Sequence, residues 1–186
     1  IHDCQFKYGG ATLVDGGYSR LPCGGISVYG SSPNIQNCTF TSNLNGIACL
    51  YGKPSFNNNT ITGNTNYAFV VVANSFPTYS GNTVSGNGKN AIELYRGDYR
   101  DDIDSSGTWW NIGIPYVLST SVYDFTINAT STITIPAGTI IKMDASEKML
   151  VNGVLSLGSS SGNEIIFTSI NDNSVGGNTG TGSPTA

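Results

Sequence analysis

The sequence predicts an all-β solenoid of stacked parallel coils, and three observations carry that expectation. Asn43, Asn64 and Asn87 stand 21 and 23 residues apart, and each closes nearly the same phrase. The phrases are Pro33-Asn-Ile-Gln-Asn-Cys-Thr-Phe-Thr-Ser-Asn43, Pro54-Ser-Phe-Asn-Asn-Asn-Thr-Ile-Thr-Gly-Asn64 and Pro77-Thr-Tyr-Ser-Gly-Asn-Thr-Val-Ser-Gly-Asn87. Two further columns repeat in step: Cys38, Asn59 and Asn82, and the apolar set Phe40, Ile61 and Val84. A period in the low twenties, built of short alternating runs and polar turns, is the signature of β-coils that bury their apolar faces only by stacking.

The coils read in order along residues 1–97. The first begins at Ile1, where Ile1-His-Asp-Cys-Gln-Phe matches Ile35-Gln-Asn-Cys-Thr-Phe, and carries an insertion from Thr12 to Cys23. Because its first residues already match the middle of a coil, the chain is expected to be an internal piece of a longer polypeptide. Later coils open at Gly25-Ile-Ser-Val-Tyr, Gly46-Ile-Ala-Cys-Leu-Tyr, Ala68-Phe-Val-Val-Val and Ala91-Ile-Glu-Leu-Tyr. Each is a small residue followed by a β-rich run, as suits a strand leaving a tight bend. Alternation sends Ile35, Phe40, Phe56 and Ile61 inward and Thr39 and Thr60 to solvent.

The asparagine columns are read as ladders. A side-chain amide at a bend can bond the equivalent residue one coil away and tolerates left-handed backbone. Repeated coil by coil, it satisfies the backbone groups of the bend. Asn59 and Asn82 are expected inward on one ladder, as structure rather than chemistry.

Residues 98–124 break the period and are expected as an irregular junction. A denser β region over 125–168 follows: Ser131-Thr-Ile-Thr-Ile-Pro-Ala-Gly-Thr-Ile-Ile-Lys-Met, Met149-Leu-Val-Asn-Gly-Val-Leu-Ser-Leu-Gly and Glu164-Ile-Ile-Phe-Thr-Ser. Residues 169–186, poor in apolar side chains, are expected as a polar loop or tail.

Bulk properties narrow the function. Charged residues make up 11% of the chain, the net charge is −4, and the eight basic residues are scattered. Nucleic acid is excluded as a partner, because phosphate binding needs clustered Lys and Arg. There is no apolar run long enough to span a bilayer. Four cysteines fall within the first 49 residues with no Cys-x-x-Cys pair and one histidine, which argues against zinc. Cys4 and Cys38 share a column, and strands stacked roughly 4.8 Å apart lie within disulfide range. Their parallel Cβ vectors suit the torsion poorly, so a Cys4–Cys38 bridge and two buried thiols both stay open.

The phrases resemble those of a known family. Residues 1–97 resemble the right-handed parallel β-helix repeats of pectate-lyase-like solenoids. The run from Thr132-Ile-Thr-Ile-Pro-Ala-Gly-Thr-Ile-Ile-Lys to Gly176-Gly-Asn is similar to a phrase of large bacterial and archaeal extracellular β-helix proteins, where it begins a new block of coils. The resemblance implies a right-handed parallel β-helix with coils of about 21–24 residues. It also implies an extracellular or cell-surface location. Activity is not implied, since such solenoids carry lyases, hydrolases, adhesins and fibres alike.

Four sets of residues are candidate sites. Five of the 12 acidic residues fall between Glu93 and Asp104. Of these, Asp98, Asp101, Asp102 and Asp104 form an oxygen-rich segment of the kind calcium favours, although Arg96 and Arg100 are placed to neutralise it. A polysaccharide lyase or glycoside hydrolase would set its carboxylates here. Trp109 and Trp110, near Tyr116, would stack on sugars if exposed, as in a carbohydrate-binding module; buried, they would cover a coil end. Asn37, Asn58 and Asn128 begin N-glycosylation sequons. The expected function is a non-catalytic extracellular solenoid, part of a cell-surface, adhesive or filament-forming protein. Its expected partners are copies of itself or flanking β-helix segments stacked head to tail, and surface polysaccharide; no resident cofactor is expected, calcium being the candidate.

Overall fold

The computed structural model describes residues 1–10, 22–96, 102–118, 124–145 and 147–183. Among them every named element is a strand. The first coil contributes β1 (Gln5–Lys7); the next holds β2 (Ile26–Tyr29), β3 (Asn34–Gln36) and β4 (Thr39–Thr41). Then come β5 (Ile47–Leu50), β6 (Ser55–Asn57) and β7 (Thr60–Thr62), followed by β8 (Tyr67–Val72), β9 (Thr78–Ser80) and β10 (Thr83–Ser85). The junction coil has β11 (Lys89–Tyr95) and β12 (Gly107–Thr108). Beyond it lie β13 (Tyr116–Leu118), β14 (Phe125–Ile127) and β15 (Thr132–Pro136), then β16 (Ile140–Met143), β17 (Met149–Val151) and β18 (Val154–Gly158), and last β19 (Ile166–Ser169).

Among the described residues every pairing between named strands is parallel and joins neighbouring coils. One seven-stranded sheet runs the length of the solenoid in the order β19-β16-β13-β11-β8-β5-β2. Two shorter sheets, β1-β4-β7-β10 and β3-β6-β9, complete the first block; β12-β15-β18 and β14-β17 complete the second. Residues 107–108 and 116–118, inside the stretch whose period breaks, are thus regular rungs.

The register turns the sequence columns into stacks. Phe6, Phe40, Ile61 and Val84 align across four coils. Ile35, Phe56 and Tyr79 align in the neighbouring sheet. Phe6 and Phe40 stack ring on ring, 4.8 Å apart and 4° from parallel. Ile35, Phe40, Phe56 and Ile61 are fully buried, as the alternation predicts. Each contributes roughly 1.5–3 kcal/mol of burial, which is how strands of three residues hold their place.

Two ladders run up the bends. Asn59 Oδ1 accepts the N–H of Cys38 at 2.9 Å, and Asn82 Oδ1 accepts the N–H and Nδ2 of Asn59 at 2.9 and 3.0 Å. In the second ladder Asn64 serves Asn43, and Asn87 serves Asn64, in the same manner. Each Nδ2 also donates to a carbonyl of the coil behind: Asn59 to Ile35, Asn82 to Phe56, Asn64 to Phe40 and Asn87 to Ile61.

One detail corrects the sequence expectation. The ladder asparagines are not left-handed; the residue before each of them is. Asn37, Asn58 and Gly81 have φ of 54°, 54° and 64°, and Ser42, Gly63 and Gly86 have 57°, 63° and 62°. The left-handed residue reverses the chain, and the asparagine after it turns inward to bond the neighbouring coils.

The polar end is seated. Ile170 packs against Tyr67, Val70, Ala91 and Val117 on the outer face of the long sheet. Lys142, fully buried on that face, donates from Nζ to the carbonyls of Asp172 and Gly177, both at 2.7 Å. Thr179 Oγ1 donates to the Ile170 carbonyl at 2.7 Å.

Candidate functional site

The regular stack breaks where the two blocks meet, and a concave surface with polar lining is built there. β9 and β10 pair back to β6 and β7, and among the described residues no strand pairs with their other edge. The chain following β12 crosses above them instead. Gly107 lets it enter: a Cβ there would lie 2.1 Å from the Phe76 ring. Asn111 and Ile112 then face Tyr79, Ser80, Gly81, Asn82 and Val84 across a cleft of about 220 Å³. Asn111 is fixed by its own bonds, donating to the Ala137 carbonyl and accepting the Gly113 N–H, both at 3.0 Å.

The aromatic pair separates. Trp109 is buried and stacks on Tyr116 at 6.0 Å and 29°, filling the core under the junction. Its Nε1 has no acceptor among the described residues. Trp110 is 45% exposed, and its carbonyl accepts the Tyr116 hydroxyl at 2.9 Å. Only Trp110 therefore presents a ring to solvent. Burial pushes the phenols of Tyr79 and Tyr116 well above their usual range, so both stay neutral.

The described part of the acidic segment is tied to the solenoid. Buried Arg96 pairs through Nη2 with Asp102 Oδ1 at 2.9 Å and donates from Nη1 to the Asp124 carbonyl. Asp104 is exposed and accepts the Ser105 hydroxyl at 3.3 Å. Asp98 and Asp101 lie outside the described residues, so half of the proposed calcium set is not placed. Among the described residues no group of three His, Cys, Asp or Glu could hold a metal ion. Asn74 positions this segment, and sequence reasoning missed it. Its Nδ2 donates to the Asp102 carbonyl at 2.8 Å, and its Oδ1 accepts the N–H of Asp104 and Ser105 at 3.0 and 3.3 Å. Asn74 belongs to neither repeating column, so no periodic signal marks it.

The remaining candidates have definite places. Asn37 and Asn58 are exposed at left-handed bends on one edge of the first block, and Asn128 is half-buried. Cys4 and Cys38 occupy adjacent rungs as free thiols. Cys38 Sγ accepts the Cys4 N–H at 3.4 Å and donates to the Gln36 carbonyl at 3.1 Å, so it stands where later coils place an asparagine. Burial pushes the Cys49 thiol up to about 11.

A family model described as "Right handed beta helix region" matches residues 1–106. No curated protein and no solved structure matches the chain.

Proposed function

The chain belongs to the right handed beta helix family, and from that premise we propose that it is a non-catalytic structural segment of an extracellular solenoid. The protein it serves is a cell-surface, adhesive or filament-forming one. One observation carries the reading: among the described residues no strand pairs with the outer edges of β17, β18 and β19. β17, β18 and β19 expose Leu150, Val151, Val154, Leu157, Ile166 and Phe167, at 36–53%. An apolar edge with unpaired backbone groups is complementary to another coil. Further β-helix, from the same polypeptide or from a second copy stacked head to tail, satisfies both the backbone and the apolar rows. A repeated head-to-tail contact of this kind propagates as a rod.

Two further features support the reading. The sparsely charged, Asn-, Gly- and Thr-rich chain, with exposed sequons at Asn37 and Asn58, suits a glycosylated extracellular protein. At the junction Asp102 serves the scaffold through its ion pair with Arg96. A lyase or hydrolase at the same junction is the competing reading. Incubating the purified chain with pectin and alginate, with and without calcium, separates the two. Intact polymer is the expected result, and chain cleavage would overturn the proposal.

A further inference from the structure

We propose that the end of the first asparagine ladder is a binding cradle for an acetamido group of the kind an N-acetylhexosamine carries. Each asparagine rung below the top of its ladder aims two donors, its backbone N–H and an Nδ2–H, at a single oxygen in the next coil. Asn43 does so to Asn64 Oδ1 at 3.0 and 3.0 Å, and Asn64 to Asn87 Oδ1 at 3.1 and 2.7 Å. The two ladders end differently. At the top of the second, the chain folds back three residues, and Asn90 Oδ1 takes both donors of Asn87 at 3.1 and 2.9 Å. At the top of the first, Asn82 gives one Nδ2–H to the Phe56 carbonyl at 2.8 Å. Among the described residues no oxygen takes its backbone N–H or its other Nδ2–H. Asn82 is itself one of the residues that line the cleft, which places these two donors at its wall.

The second ladder shows what fits such a pair of donors: a carboxamide oxygen. The cleft adds the rest of the preference. Tyr79, Val84 and Ile112 offer apolar walls for a methyl group, and Ser80 and Asn111 supply polar groups for a ring. Among the described residues no basic side chain lines it, and the chain carries a net charge of −4, so a neutral carboxamide is favoured over a carboxylate. At about 220 Å³ the cleft admits the acetamido arm and part of one ring. It is smaller than the roughly 300–1,000 Å³ of sites that bind drug-sized ligands, and binding in about the millimolar range is expected. This site goes beyond the structural role proposed above and does not depend on it.

The test is a titration of the full chain with N-acetylglucosamine, followed by ¹⁵N–¹H resonances. Saturable shifts confined to the backbone and side-chain amides of Asn82 and its cleft neighbours are expected. Glucose should leave them in place, and free acetamide should move the same resonances more weakly. Ser80→Trp, which fills the cleft and leaves every ladder asparagine in the chain, should weaken binding about tenfold or more with an unchanged melting temperature. Asn82 amides that stay in place at high sugar would overturn the proposal. So would equal shifts with glucose, acetamide binding as tightly as the sugar, or full affinity in Ser80→Trp.

Discussion

Asn82 Oδ1 accepts two hydrogen bonds from Asn59, one from its backbone N–H at 2.9 Å and one from Nδ2 at 3.0 Å. One oxygen thus locks both the bend and the side chain of the coil behind. Replacing Asn82 with Ala would strand these donors and the Phe56 carbonyl, at a cost on the order of 1–3 kcal/mol. Thr83 is exposed beside it, and Thr83→Ala should change stability by about 0.5 kcal/mol or less. Thermal unfolding of the two variants reads the difference, and equal losses would contradict the inward ladder.

The left-handed bends make a second prediction. Asn58 sits at φ 54°, where a β-branched side chain is strained. Asn58→Val should lower stability by about 1–2 kcal/mol, while Asn58→Gly should be tolerated. Chemical denaturation of both variants checks the order; Val matching Gly would show that this bend is not left-handed.

The ladder was legible in the sequence because its asparagines recur in register, and the inward rows were legible because a strand alternates. The left-handed positions were assigned one residue late, since Asn58-Asn59 offers two amides and sequence cannot say which one bends the chain. The seating of the polar end was not legible at all. It rests on Lys142 bonding the backbone carbonyls of Asp172 and Gly177, and a carbonyl leaves no mark on residue type. Asn74 was hidden for a related reason: its partners are mostly backbone groups of a segment outside the repeat.

Acid should loosen that seated end. The Asp172 carboxyl is held down to about 2, first by the Ser174 hydroxyl, then by the Thr168 hydroxyl and the Ser174 N–H. A folded value below the ordinary 3.8 means that its contribution is complete above that pH. The contribution is lost as pH falls toward about 2. Between these limits the wild type should lose more stability than Asp172→Asn, which cannot titrate. Parallel melting curves against pH for the two proteins would contradict this.

The two tryptophans should report different surroundings. Trp109 is buried against Tyr116 and Trp110 is exposed. Trp110→Phe should leave blue-shifted emission that iodide scarcely quenches, and Trp109→Phe should leave red-shifted, readily quenched emission. Similar quenching of both variants would place Trp109 at the surface.

The central claim, a structural solenoid extended by further coils, is tested most directly by electron cryo-microscopy of the native protein. The account predicts rods in which rungs of β-structure repeat about every 4.8 Å along the axis, running through and beyond the β17–β19 end without a gap. A compact, isolated particle of this mass, with Leu157 and Phe167 still facing solvent, would contradict it.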